Sequence, residues 1–341
     1  MPPLNQWYVA ALSGEISEGL LARTVCGSPI VLFRTPDGSA AAIEDRCPHR
    51  SVPLSHGELK DGLVQCAYHG LTVDRTGACV RIPGQDSIPR GARVHAFPLV
   101  ERWRFVWVWP GEPALADPAL IPELREADDP NWAVIEGEPL HARADYRLLI
   151  DNLLDPGHVS FVHRSTLGTA AVADIPVTTT RSGDRVTVSR WILGQAPAPI
   201  YAALGGFTGP VDRWQIITFQ PASCVTVDMG SAVAGTGAPQ GDRSQGIELK
   251  SFNLITPAAE GACIYFWVHV RNFGLDDPAV AQRIRAGFTT AFREDVDIVE
   301  MVEAGRRRFP AAREVDIAYD RGPNLARAVI ERLVAAERGP A

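Results

Sequence analysis

The sequence predicts an α+β chain of two domains. Three observations carry that reading: short apolar runs between turn residues in the first third, longer alternating runs in the middle, and one long helical pattern after them. In the first third, strand candidates fall at 29–34, 40–44, 63–68, 71–73, 79–82 and 105–109, several ending at turn signals such as Pro36-Asp37-Gly38 and Thr76-Gly77. They suit a small all-β domain. The stretch 110–130, rich in Pro, Asp and Glu, reads as its exit, so a boundary is expected near 135, giving domains 1–135 and 136–341. Beyond it, 145–162 has helical spacing, and apolar or alternating runs at 186–191, 214–220, 224–229, 247–255 and 263–270 suit an antiparallel sheet. Asp277-Pro278, a capping residue followed by proline at the first helical position, opens a helix expected to run to about Arg308.

Composition bounds the function. The chain has 341 residues, 46% hydrophobic and 21% charged, enough to build a core without disulfides. Six cysteines are too few for a secreted disulfide scaffold of this length. Cys26, Cys79, Cys224 and Cys263 show no metal spacing and read as buried small residues. A net charge of −7 offers no field for nucleic acid, and Arg306-Arg307-Arg308 reads as the basic end of a helix. With no basic start followed by an apolar run and no stretch of about eighteen apolar residues, a cytoplasmic protein without a membrane span is expected.

Two short motifs carry chemistry in the first domain. Cys47-Pro48-His49 and Cys66-Ala67-Tyr68-His69 stand sixteen residues apart, each with one cysteine and one histidine. Two thiolates and two imidazoles in tight pairs suit a Rieske [2Fe-2S] cluster, one iron taking both sulfurs and the other both histidines. A Cys2His2 zinc knuckle uses the same ligands, but zinc motifs separate the first pair by two to four residues, and here only Pro48 intervenes. Gly57, Gly62, Gly70 and Pro53 lie around the pairs, as expected where two loops clamp one cluster. Electrons would pass through such a group one at a time.

A second constellation lies in the second domain, in the segment running from Asp151 and Asn152 through Asp155, Pro156 and Gly157 to His158 and His163. Two histidines and a carboxylate with open positions make the facial triad of non-haem Fe(II) oxygenases. His158 and His163, five apart, sit roughly 140° around a regular helix, so both face one metal only if the helix is broken or bulged between them. Pro156-Gly157 makes such irregularity plausible. The long helix offers Glu294, Asp295 and Asp297 as the carboxylate. Asp295 shares a face with Ile284, Phe288, Ile298, Val299 and Val302, whereas Asp297 aligns with Arg293 and Glu300. A lone carboxylate on an apolar stripe needs a buried partner, which favours Asp295 and keeps Asp297 as the fallback.

Read together, these motifs resemble the oxygenase component of a Rieske non-haem iron oxygenase, within the vanillate O-demethylase and dicamba monooxygenase group. The likeness spans nearly the whole chain and includes Trp7-Tyr8-Val9-Ala10, Glu44-Asp45-Arg46, Tyr68-His69-Gly70, Asp145-Tyr146-Arg147, Pro210-Val211-Asp212-Arg213-Trp214, Arg271-Asn272-Phe273 and Glu294-Asp295. The resemblance implies a Rieske domain followed by a helix-grip catalytic domain, and a head-to-tail homotrimer. It implies that Cys47 and Cys66 hold one cluster iron, His49 and His69 the other, and His158, His163 and Asp295 the mononuclear iron. Asp155 matches an aspartate that links a cluster histidine of the neighbouring subunit to an iron histidine; Asn152 matches an asparagine that orients near the iron. Respiratory Rieske proteins carry an extra cysteine in each cluster loop, but here Tyr68 precedes His69 and no cysteine follows His49 closely. Ala67 and Leu71 stand where many ring-hydroxylating relatives have proline and tryptophan.

The activity implied is NAD(P)H- and O2-dependent oxidation of a small aromatic compound, above all O-demethylation of a methoxyarene such as a methoxybenzoate, which releases phenol and formaldehyde. No GxGxxG follows a strand, so a separate flavin and iron-sulfur reductase is the expected electron donor. Hydroxylation of an aryl methyl group and cis-dihydroxylation of a ring use the same iron and stay open, as does an electron-transfer protein with a ligand-binding second domain. Pocket candidates are 214–220, Asp228, Asn253 and 265–269, with register deciding which side chains point inward. His269 could contact substrate or be a satisfied strand histidine, and the second reading is favoured.

Overall fold

The computed structural model describes residues 1–163 and 175–338. They divide into two compact units, one formed by Met1–Ile121 with Thr256–Glu260 and Glu337–Ala341, the other by Pro122–Ile255 with Gly261–Ala336. The strand Ala133–Glu136, which the sequence reading put at the end of the first domain, pairs with Cys263–Arg271 of the second unit.

The first unit contains three small sheets. Tyr8–Leu12, Phe105–Val108 and Leu99–Arg102 form one; Leu21–Val25, Ser28–Arg34 and Ala40–Glu44 another; Glu58–Lys60, Leu63–Gln65, Thr72–Val73 and Cys79–Arg81 the third. Phe105–Val108 is buried along its whole length, as an apolar run without alternation requires. Leu63–Gln65 is shorter than the apolar run that predicts it because the chain turns at Cys66, whose N–H donates to the Leu71 carbonyl at 2.8 Å. Val31, Phe33, Ile43, Leu54 and Val64 pack around Cys47 and Cys66, so both thiols belong to the core.

The second unit is built on an eight-stranded sheet. Its strands run in the order Ala133–Glu136, Cys263–Arg271, Gly246–Pro257, Cys224–Val233, Val211–Gln220, Arg185–Gln195 and Thr178–Ser182, and Leu140–Ala142 also pairs with Cys263–Arg271. Among the described residues five helices accompany it: α1 (Tyr146–Leu154), α2 (Val159–Val162), α3 (Pro199–Gly205), α4 (Pro278–Arg308) and α5 (Arg321–Glu337). Helix α4 starts where the sequence predicts, with the Asp277 side chain accepting from the N–H of Ala279 and Val280. Its apolar stripe of Val280, Ile284, Phe288, Phe292, Val296 and Val299 packs into one core with Tyr265 and Trp267 of the sheet. Val302, expected on that stripe, is exposed, because the last turns of the helix have left the core.

Candidate metal centres

The two cysteine-histidine loops share one backbone scheme. Cys47 accepts from the N–H of Ser51 at 2.9 Å and donates to the Val52 carbonyl at 2.8 Å; Cys66 accepts from Gly70 at 3.0 Å and donates to Leu71 at 2.8 Å. Ser51 and Gly70 close these turns with φ of 55° and 71°, left-handed values that glycine adopts freely and serine at a cost. Both cysteines are buried at 2% exposure, while His49 and His69 are exposed, their rings 4.8 Å apart. Tyr68 stacks on His69 at 3.8 Å. Burial pushes the Cys47 thiol up, and the backbone N–H groups of His49 and Arg50 aimed at its sulfur oppose that shift. Two sulfurs facing the core and two imidazoles facing outward fit a cluster with one iron on each side.

Helix α1 begins on Asp145, whose carboxylate accepts from the Arg147 N–H at 2.9 Å, and ends at Leu154. It ends there because Asp155 precedes proline and is driven into extended backbone, φ −102° and ψ 94°. After the Pro156-Gly157 turn the single-turn helix α2 forms, with His158 at its entry and His163 at its exit. The two histidines converge because His163 leaves helical geometry, φ −96° and ψ 38°; the break at Pro156-Gly157 precedes both rather than lying between them.

His158 Nε2, His163 Nε2 and an oxygen of Asp295 come together within 4.8 Å of one another. Asp295 Oδ1 lies 3.1 Å from His163 Nε2 and 3.4 Å from His158 Nε2, and the two Nε2 atoms are 3.3 Å apart. The opposite ring nitrogens fix the tautomers. His163 Nδ1 meets Glu294 Oε2 at 2.8 Å, and His158 Nδ1 meets the Asp155 carbonyl. Both partners only accept, so each Nδ1 carries the proton and each Nε2 presents a lone pair. Two nitrogen lone pairs and a carboxylate oxygen, 2% exposed as a residue and given no hydrogen-bond donor, therefore face one point. Such a donor set fits a divalent cation. The potential agrees: burial lowers the His163 imidazole, but Asp295 and Glu294 outweigh it and leave it raised. Burial raises the Asp295 carboxyl, but the two imidazoles outweigh it and hold it down to about 2. Asp297 is exposed and takes no part in the group.

The triad opens into a cavity lined mainly by apolar side chains with a few polar groups, the character of small-molecule sites. Tyr201, Phe273, Phe288, Phe292, Met229 and Leu249 give it an aromatic and apolar wall. Alternate residues of Val211–Gln220 face in: Arg213, Gln215 and Ile217 line the space. Trp214 points away and donates from Nε1 to Asp228 at 2.8 Å, which also removes Asp228 from the expected lining. Asn253 lines the cavity, its carbonyl oxygen accepting from Ser251 and Tyr265 hydroxyls, both at 2.8 Å. Gln215 Oε1 accepts from Arg190 at 2.9 and 2.6 Å, and Arg190 also donates to the Pro156 carbonyl at 3.1 Å.

The other expected residues lie as follows. Asp155 reaches His158 through its main-chain carbonyl, since the turn is not helical; its carboxylate accepts from the Gly157 N–H at 2.7 Å, and burial pushes its pKa up. Asn152, on α1, does not line the cavity; its main-chain carbonyl accepts from the Asp155 N–H at 3.1 Å, and its side-chain oxygen is buried without a hydrogen-bond partner among the described residues. His269 is fully buried among Trp267, Phe288 and Phe292, away from the cavity lining, and burial depresses its pKa to about 3. Cys26 is half-buried rather than buried; the other three non-motif cysteines are buried. Sequence reasoning missed Arg213, Arg190 and the orienting role of Glu294; of the three only Glu294 carried a local signal, as the acid next to Asp295.

Residues 6–98 match the Rieske [2Fe-2S] domain, and residues 142–336 match the vanillate O-demethylase oxygenase C-terminal domain. The chain is 40% identical over 341 residues to the toluene-4-sulfonate monooxygenase system iron-sulfur subunit of Comamonas testosteroni, covering 98% of each chain. It is 39% identical over 352 residues to the vanillate O-demethylase oxygenase subunit of Pseudomonas sp. strain HR199, covering 99% of this chain and 96% of the relative. The crystal structure of dicamba monooxygenase bound to 3,6-dichlorosalicylic acid matches with a TM-score of 0.93 and 36% identity over 99% of both chains. The zinc alternative falls with the Rieske match, and the helix α4 carboxylate beside two histidines is a candidate site for the mononuclear iron. The chain belongs to the vanillate O-demethylase oxygenase family, as the oxygenase component of a Rieske non-haem iron monooxygenase system.

Proposed function

We propose that this oxygenase O-demethylates a small methoxyarene of the methoxybenzoate type, with Cys47, His49, Cys66 and His69 as cluster ligands and His158, His163 and Asp295 as ligands of the mononuclear iron. The observation that carries this reading is the convergence of the three donors on one wall of an aromatic-lined cavity. The iron, when bound, supplies activation of O2 with electrons delivered through the cluster. The chain's own residues do the rest. Glu294 and the Asp155 carbonyl hold both imidazoles with Nε2 forward, and Phe288 and Phe292 form a dry wall against which an arene ring stacks. Electrons come from a flavin and iron-sulfur reductase using NAD(P)H. His69, exposed on the cluster-binding loop, would hand them on, and Asp155 and His158 of the next subunit in a head-to-tail homotrimer would receive them.

Supplying reductase and NADH to the holoenzyme with a panel of methoxybenzoates, methylarenes and simple arenes tests this. Formaldehyde formed in step with O2 uptake supports demethylation; a cis-diol as the product overturns it. A second reading, hydroxylation of an aryl methyl group, is favoured by the toluene-4-sulfonate relative and yields a benzylic alcohol without formaldehyde. Alanine at His158 or His163 is expected to abolish turnover while leaving the visible spectrum of the cluster in place; retained turnover would mean that the second domain only binds ligand.

A further inference from the structure

Among the described residues Arg213 is the one Arg or Lys lining the cavity, and none of them supplies it with a counter-charge. It is 7% exposed, and its Nε is buried with no hydrogen-bond partner. Among the described residues no carboxylate forms an ion pair with it. Its neighbour in sequence, Asp212, points to the other face of the sheet and accepts from the N–H groups of Gly194 and Gly235 at 2.9 and 2.8 Å. The contact that does hold the guanidinium is an aromatic face, its central carbon lying 4.9 Å from the centre of the Tyr201 ring. Arg190 is close enough that, after burial, the charge of Arg213 is what most lowers its proton affinity. The same cavity is lined by His158, His163 and Asp295 of the candidate metal site.

A buried guanidinium without a partner is costly unless something arrives to pair with it. We propose that Arg213 is the specificity-determining anchor for an oxyanion, a carboxylate or sulfonate, on the aromatic substrate. The guanidinium fork donates two parallel N–H hydrogen bonds to the oxyanion while Tyr201 fixes its plane. An oxyanion held at Arg213 fixes one end of the substrate and leaves the rest of the ring to be presented to the triad in the same cavity. This inference rests on the proposed oxidation of a small arene and names the class within it.

The test measures equilibrium binding to the holoenzyme under anaerobic conditions, using two isosteric pairs: 4-methoxybenzoate against 4-methoxybenzamide, and 4-toluenesulfonate against 4-toluenesulfonamide. Wild-type protein is expected to bind at least one anion about tenfold or more tightly than its neutral partner, and which pair shows the larger bias tells carboxylate from sulfonate. Arg213→Gln should weaken the favoured anion about 10- to 100-fold and leave the neutral compound within about twofold, and Arg213→Lys should recover part of the loss. Equal binding of anion and amide by the wild type overturns the proposal without any variant being needed; so does an Arg213→Gln loss shared equally by both compounds in protein with an unchanged cluster spectrum. Anion bias in a protein that oxidises none of these arenes would instead defeat the proposed activity and leave the anchor standing.

Discussion

His158 and His163 are aimed by acceptors of different kinds, a main-chain carbonyl and a side-chain carboxylate, and the difference makes only one of them mutable. Glu294→Ala removes the acceptor behind His163 and should cost about 10- to 100-fold in iron affinity, with Glu294→Gln intermediate because its amide oxygen still accepts. Iron titration of protein with an intact cluster spectrum checks this. His269 gives a second residue-scale prediction. Its folded pKa of about 3 lies below the ordinary 6.5, so between those values the unfolded chain takes up a proton that the folded chain refuses. Its contribution to stability is complete above pH 6.5 and is lost as pH falls, by up to about 1.4 kcal/mol per pH unit. Denaturant midpoints of wild type and His269→Leu should therefore diverge in slope between pH 6.5 and 4.5, with the wild type falling more steeply; parallel slopes would refute the assignment.

At the scale of elements, the caps and breaks decide what the side chains can do. Asp277→Ala removes the N-cap of α4 and should cost about 1 kcal/mol, seen as a fall of about 2 °C in the melting temperature, without loss of iron. Gly157→Ala acts elsewhere. A Cβ there would stand 2.8 Å from both Asp155 Oδ1 and the Tyr319 ring, so the turn that presents His158 must shift, and iron affinity should fall about tenfold while the cluster stays intact. Elements with local signals were legible in the sequence: helix α4 through Asp277-Pro278, the central strands through their apolar runs, Asp295 through its place on an apolar stripe. Helix α5 and the strands Leu21–Val25 and Leu99–Arg102 were not, because they bury few residues and their patterns are weak. The convergence of His158 and His163 was legible only as a requirement. What achieves it is the backbone of His163, and no residue type in that stretch encodes its angle. Arg213 was hidden for another reason: whether a strand residue faces a cavity depends on register, and only pairing across the sheet fixes that.

For the whole molecule, the cluster is sided, with sulfurs toward the core and imidazoles toward solvent. An electron leaving by the short way leaves through a histidine. If it leaves toward another subunit, two defective proteins should mend each other. A chain with His69→Ala and a chain with His158→Ala, each inactive alone, are expected to recover activity when co-assembled, up to about a quarter of the wild-type rate; no recovery in verified mixed oligomers would place the transfer within one chain. Among the described residues no helix is long and apolar enough to cross a membrane.

The link from Gln215 through Arg190 to the Pro156 carbonyl has a further consequence for how such an enzyme can change. It clamps the turn that delivers His158 to the sheet at one inward position of Val211–Gln220. Two residues along the same strand, Arg213 makes no such bond. A chain built this way can exchange its choice of substrate at one position while the neighbouring one keeps the iron ligands in place, so selectivity is free to drift at little risk to the metal, and Arg213 is the first position to randomise in redirecting the enzyme toward neutral arenes.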